Sequence, residues 1–408
     1  MEALVFLTYL ASVLLIGIIC TIISRKLKIP NILLLIIVGI VLSRISYKGV
    51  PLLEFPSQFL TSIGILALVM IVFDSSSRFK LKEFDQLSLY ALKLTGAFLF
   101  FNMLFLTIAL IFVFGLKFNL FYILLALLFS ALMSGTDPGA VLSMFGQTKN
   151  KVVKILEIES LINTPLVVLL PFIFLDLMNK IVGKSISTIQ FFDQLFPFLK
   201  DFLLRLIAGI GAGVLIGIII FKVMRKQYSG VLSPLSIITA ALMTYILAEN
   251  LGGNGVLAVT TLGLFFSNVY VKQKVELLEF SSIFTNALEI LVFVLIGLII
   301  DIPRTPEFLM QSFLLFVIYI LIRFLSVQLS FKKEEFNFKE RVFMALNVQK
   351  GIAVAVVVFA LSILNIEGID ILLNLTLMFM LYSILLSTVI LKLSKYFIKR
   401  EIKPEKEQ

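Results

Sequence analysis

Long apolar runs, each ended by a short polar or basic stretch, fill the chain almost from end to end. They lie roughly at 3–24, 30–46, 57–79, 87–115, 119–146, 151–180, 199–223, 231–251, 254–270, 279–301, 307–330, 341–365 and 369–396. A helix needs about 20 apolar residues to cross the hydrocarbon core. The pattern therefore predicts an all-α integral membrane protein with about 13 transmembrane helices. The first run has no basic stretch before it and is followed by Arg25, Lys26 and Lys28. It reads as a spanning helix, not a cleaved signal. The runs form one transmembrane domain over 1–398, and 399–408 is a short tail.

Composition supports this reading. The chain is 60% hydrophobic and only 15% charged, where a soluble domain is about a quarter charged. The net charge of +10 does not point to nucleic acid, because the Lys and Arg residues sit between the apolar runs. With the N-terminus outside, the inner loops and tail hold 24 of them and the outer loops 7. That asymmetry predicts an N-out, C-in topology in the cell membrane. The sequence has no histidine and a single cysteine, Cys20. Any proton chemistry must therefore use carboxylates, lysine or water. No nucleophile–base pair, phosphate loop or Cys/His metal spacing is present, so neither an enzyme nor a cofactor is expected. Gly209, Gly211, Gly213 and Gly217 share one run and read as small residues for close helix packing.

Some charges remain inside the runs. The basic ones are Lys93, Arg205, Arg323 and Lys350; the acidic ones include Asp74, Asp137, Glu157, Glu159, Asp176, Glu249 and Glu289. An ionisable group at membrane depth marks an ion path or a structural pair. Lys93, Arg205, Asp176 and Glu249 lie near span ends, where side chains can reach the interface.

Asp137 is different. It sits mid-run in Ser134-Gly135-Thr136-Asp137-Pro138-Gly139, where proline and glycine predict a broken helix. Broken backbone at this depth must face protein or a wet cavity. Half-helix ends there offer partial charges and free carbonyls that suit ions. The sixth run holds Glu159-Ser160-Leu161-Ile162-Asn163-Thr164-Pro165. The i, i+4 spacing puts Glu159 with Asn163 and Ser160 with Thr164. Thr136, Asp137, Glu159 and Ser160 predict an oxygen-rich cluster of the kind a hard cation prefers. Arg323 lies mid-run and needs a partner, for which Glu159 is the natural candidate. Lys350-Gly351 predicts a second break, seven runs after the first, with a lysine suited to helix C-termini. Two six-helix halves, about 3–180 and 231–396, then flank a linker helix at about 199–223 as inverted repeats.

With these residues in place, the chain resembles the cation/proton antiporter superfamily, in particular the NhaP-type sodium/proton exchangers. The resemblance rests on Ile29-Pro30 through Gly39, Phe73-Asp74, Thr136-Asp137-Pro138, Glu159 through Asn163, Gly255 through Gly263, Phe293 through Gly297, Arg323 and Gly351. It spans nearly the whole chain. It implies interrupted, crossing helices 5 and 12 and a core that moves against a dimerisation scaffold. It implies Na+/H+ exchange, with K+ or Li+ as other cargoes, and a homodimer. Thr136, Asp137, Glu159 and Ser160 match the family's cation ligands, Glu159 with Arg323 its structural ion pair, and Asn163 its sixth-helix asparagine.

Two positions depart from the pattern. Asn163-Thr164 stands where the family has Asn-Asp, and Lys350 stands where arginine is usual. Threonine can coordinate a cation but cannot carry a proton near neutral pH. Either Asp137, with Glu159, takes over proton coupling, or coupling or cargo is changed (K+ being the alternative), or the chain is a facilitator or regulatory relative. The first is the leading expectation.

Overall fold

The computed structural model describes residues 2–27, 31–47, 50–51, 53, 55–78, 86–137, 150–181, 188–226, 229–230, 232–299, 303, 305–331, 335–362, 366 and 368–398. Ile29-Pro30, Pro138, Gly139, several loop cations (Lys28, Lys48, Lys80, Lys82, Lys149, Lys184, Arg304, Lys332 and Lys333) and the tail 399–408 lie outside the described residues.

The chain is a helical bundle. In order it forms α1 (Glu2–Leu27), α2 (Asn31–Leu42), α3 (Ser57–Ser77), α4 (Gln86–Val113), α5 (Leu120–Met133), α6 (Lys151–Ile181), α7 (Thr188–Lys226) and α8 (Leu232–Asn250). Then follow α9 (Gly255–Asn268), α10 (Lys274–Ile299), α11 (Pro306–Ser330), α12 (Phe338–Leu346), α13 (Ile352–Ser362), α14 (Ile369–Lys392) and the single turn α15 (Ser394–Phe397). A two-residue ribbon, β1 (Ser46–Tyr47) with β2 (Val50–Pro51), pairs Ser46 with Pro51 after α2. It lies outside what the apolar pattern predicts. Among the described residues, nine helices are long and apolar enough to cross a membrane. Four shorter apolar helices, α2, α5, α9 and α13, accompany them. Each of these helices overlaps its own predicted run, although α7 and α10 begin well before theirs.

Local chemistry sets several boundaries. Asn119 caps α5 by accepting from Tyr122 N–H, and Asn254 caps α9 by accepting from Leu257 N–H. Thr305 caps α11, with Pro306 in the first turn, where its missing N–H costs nothing. Asn337 and Glu340 form a reciprocal capping box on α12. Two differences from the sequence reading, at α7 and inside α4, accompany one expected break. The run at 199–223 belongs to a longer helix beginning at Thr188, because Gln190, Asp193 and Gln194 dilute the apolar signal without breaking the helix. The twelfth run is α12, an unwound stretch at Asn347–Gly351, and α13, so the break expected at Lys350-Gly351 is present. Inside α4, a π-helical turn at Asn102–Leu106 lets the Asn102 amide donate to the Ser130 carbonyl of α5 at 2.7 Å.

Packing follows residue size. On α7, a Cβ at Gly209, Gly213 or Gly217 would collide with α9, whereas Gly211 faces open space. Near the bundle edge, Arg205 on α7 donates to Asp176 on α6 at 2.7 Å, both side chains over 40% exposed. Glu249 accepts from Gly255 N–H at 2.8 Å and so joins the end of α8 to the start of α9. The interior around α3, α5, α6, α10 and α13 is one continuous apolar core. The two helix breaks lie within it.

Candidate functional site

The α5 helix stops at Met133, and Gly135, Thr136 and Asp137 continue as non-helical chain. That stretch meets the unwound Asn347–Gly351. The Asp137 N–H donates to the Gln349 carbonyl at 2.8 Å, so the two breaks are tied by backbone. Gly351 is placed so close that a Cβ there would fall on the Asp137 carboxylate.

Helix ends bring unpaired carbonyls and a negative dipole end. Lys350, fully buried, answers both. Its Nζ donates to the carbonyls of Met133 and Gly135, each at 2.6 Å, and to the Tyr319 hydroxyl at 2.5 Å. An ammonium has three protons, and all three are used. Lys350 therefore neutralises the end of α5 and leaves the cavity itself to Asp137.

The α6 helix supplies the facing wall. The Asn163 amide donates to Thr136 Oγ1 at 2.8 Å. The Thr164 hydroxyl donates to the Ser160 carbonyl at 2.7 Å. Pro165 has no N–H, so the carbonyl of Leu161, four residues back, loses its helical donor. A cavity of about 190 Å³ opens between these elements. Thr136, Asp137, Ser160, Leu161, Asn163 and Thr164 all line it, with Thr285 of α10 opposite. Asn163 Oδ1 is buried without a hydrogen-bond partner among the described residues. Asp74 and Arg78, paired at 3.0 Å on α3, border the same cavity.

Glu159 does not join this wall. Arg323 donates to both of its carboxylate oxygens, at 2.5 and 2.7 Å, and both side chains are fully buried. The guanidinium also lies 4.6 Å from the centre of the Phe98 ring. The structure thus brings together Thr136, Asp137, Ser160, Asn163 and Thr164. It sets Glu159 and Arg323 apart as a pair behind the cavity.

Three participants escape a reading of the sequence. Tyr319 is one more aromatic in an apolar run, and nothing marks it as an acceptor for Lys350. Thr285 could have been found only from its place one turn before Glu289. Arg78 reads as a loop cation, and its i, i+4 spacing from Asp74 is the signal for the pair.

The profile of the family described as "Sodium/hydrogen exchanger, transmembrane" matches residues 10–393. The chain belongs to the sodium/hydrogen exchanger family. Two of its relatives are distant in sequence. It is 27% identical over 336 residues to the K(+)/H(+) antiporter NhaP of Alkalimonas amylolytica, covering 81% of this chain and 56% of that protein. It is 28% identical over 336 residues to the probable Na(+)/H(+) antiporter 2 of Methanocaldococcus jannaschii, covering 77% and 74%. The chain thus spans little more than half the length of the Alkalimonas protein. In fold it is similar to the sodium proton antiporter MjNhaP1 of M. jannaschii, with a TM-score of 0.77 at 22% identity over 96% of this chain and 97% of that one.

Proposed function

We propose that this exchanger-family member is a secondary antiporter that trades a monovalent cation for protons by alternating access. The observation that carries the reading is the crossing of the two helix breaks. It leaves the Asp137 carboxylate on a small cavity whose other polar walls are hydroxyls, an amide and the Asp74–Arg78 ion pair. Hard monovalent cations bind such oxygen sets. A carboxylate that holds either a proton or a cation, but not both, is the minimal exchange element. Na+ is the leading cargo and K+ the alternative, the relatives above being named as antiporters of one ion or the other. Thr136, Asp137, Ser160 and Thr164 are the proposed cation contacts, and Asn163 holds Thr136 in place. Glu159 and Arg323 are proposed to keep α6 and α11 together.

The cavity reaches the end of α3 that carries Arg78. The basic-loop asymmetry assigns that side to the cytoplasm. On this reading the conformation described is inward-open, with the N-terminus outside. A core bundle built on the crossing of the two repeat halves, about 3–180 and 231–396, would move against scaffold helices held still in a homodimer.

The test is a cation-driven proton flux in proteoliposomes of the purified protein. Wild type should move protons when Na+ or K+ is added, and Asp137→Asn should abolish the movement. Voltage-driven cation leak without proton movement would overturn the reading.

A further inference from the structure

The α10 helix carries polar groups that the proposed site does not use. Ser281, Thr285 and Glu289 recur at i, i+4 and i+8, which keeps them on one side of the helix. Ser281 is 0% and Thr285 7% exposed. Thr285 lines the same cavity as Asp137. Its Oγ1 is buried with no hydrogen-bond partner among the described residues. Other threonines of this bundle turn back on the carbonyl four residues earlier, as Thr244, Thr260 and Thr261 do. Thr285 does not, so its hydroxyl is left for something in the cavity.

Glu289 follows one turn further, about 6 Å along the axis. It lies within electrostatic reach of Asp137. The elements packed on α10 are α1, α2, α3, α8 and α13. Their charged groups are Asp74 with Arg78, already paired on α3, Glu249, which holds Gly255 N–H, and the terminal Glu2, Arg25 and Lys26 of α1. Lys350, just before α13, has its three protons committed elsewhere. No basic partner for Glu289 is among the groups described. Its carboxyl is a second acid one helical turn from Thr285, which lines the cavity of Asp137, in a chain with threonine at 164.

We propose that Thr285 and Glu289 form a second step of the ion path, with Thr285 relaying from the cavity and Glu289 taking up the exchanged proton that Thr164 cannot hold. The step is proton binding alone. The carboxylate accepts a proton from water in one conformation and returns it to water in the other. The proposal rests on the exchange reading above and extends it to α10.

The experiment uses full-length protein in proteoliposomes with an internal pH dye, with Na+ and K+ pulses at a series of pH values. Glu289→Gln should lower coupled exchange at least about tenfold, the effect of about 1.4 kcal/mol. The flux that remains should lose the wild-type pH profile. Glu289→Asp should keep exchange, and adding Thr164→Asp to Glu289→Gln should restore it. A Glu289→Gln protein with wild-type rate and pH profile overturns the inference while leaving the exchange reading intact. So does a loss that neither Glu289→Asp nor Thr164→Asp repairs, because that is the mark of a packing role. If Glu289→Gln does not fold, Thr285→Val against Thr285→Ser decides: slow exchange in valine alone supports the relay, and equal exchange overturns it. A wild type without cation-driven proton movement overturns the exchange reading and this inference together.

Discussion

Arg323 holds both carboxylate oxygens of Glu159, at 2.5 and 2.7 Å, and neither side chain reaches the surface. Two charges out of water need each other, because removing one leaves the other buried and uncompensated. Replacing the whole pair with apolar side chains removes both desolvation penalties at once. Arg323→Met alone is therefore expected to destabilise the protein by about 3–5 kcal/mol. The Glu159→Leu, Arg323→Met double variant should recover most of that loss. Thermal unfolding in detergent measures both. Equal melting temperatures for wild type and Arg323→Met would show that the pair does not hold the helices.

Gly351 allows the two helix breaks to touch. A methyl at 351 would overlap the Asp137 carboxylate, which cannot retreat far while its own N–H is bound to the Gln349 carbonyl at 2.8 Å. Gly351→Ala should displace the carboxylate and reduce cation-driven proton flux by about tenfold or more, as small misplacements of a working group do. Gly211, which faces open space on α7, is the control. Gly211→Ala should leave flux near wild type. If Gly351→Ala transports normally, the close approach is not needed for function.

Both breaks were legible in the sequence from Pro138, Gly139 and Gly351, because proline and glycine act on the backbone that carries them. The crossing was not legible from local rules. It depends on a hydrogen bond between Asp137 and Gln349, which lie far apart in the chain, and only the family resemblance implied it. The same limit separates Glu159 from Ser160. The need of Arg323 for a partner pointed to Glu159, but helical spacing also puts Glu159 near Asn163, and only the packing of α11 decides that the carboxylate turns wholly to Arg323 and not to the cavity. Thr285 stayed hidden because a lone hydroxyl in a transmembrane helix normally bonds its own backbone. The long α7 was underread because spanning length is judged by hydropathy, and a polar first stretch hides a helix from that measure.

Lys350 serves the end of α5 through three hydrogen bonds, two of them to main-chain carbonyls. Lys350→Met keeps the bulk and loses all three. Each buried acceptor left without a donor costs about 1–3 kcal/mol. A loss of several kcal/mol is expected, read as a lower melting temperature and poor recovery from membranes. Lys350→Arg keeps the charge but changes a compact ammonium into a planar fork. It should fold better than Lys350→Met, with a smaller loss than the apolar variant. Equal stability of Lys350→Met and wild type would remove the lysine from this role.

Thr164 lines the cavity, with its hydroxyl donating to the Ser160 carbonyl at 2.7 Å. An aspartate at 164 would lose that donation when ionised and would bring a second carboxylate to the wall that faces Asp137. Two nearby carboxylates resist being ionised together, and one of them takes a proton unless a cation neutralises the pair. That competition strengthens exchange: a cation binds more tightly and expels a proton as it does so. Thr164→Asp is therefore expected to raise cation-driven proton flux and to lower the cation concentration that gives half the maximal rate. The change should be about tenfold, since an added ligand charge worth about 1.4 kcal/mol has that effect on binding. Proteoliposome flux as a function of Na+ and of K+ measures it for each cargo. If flux and half-saturating concentration both stay at their wild-type values, then position 164 does not contact the cation, and the ligand set shrinks to Thr136, Asp137 and Ser160.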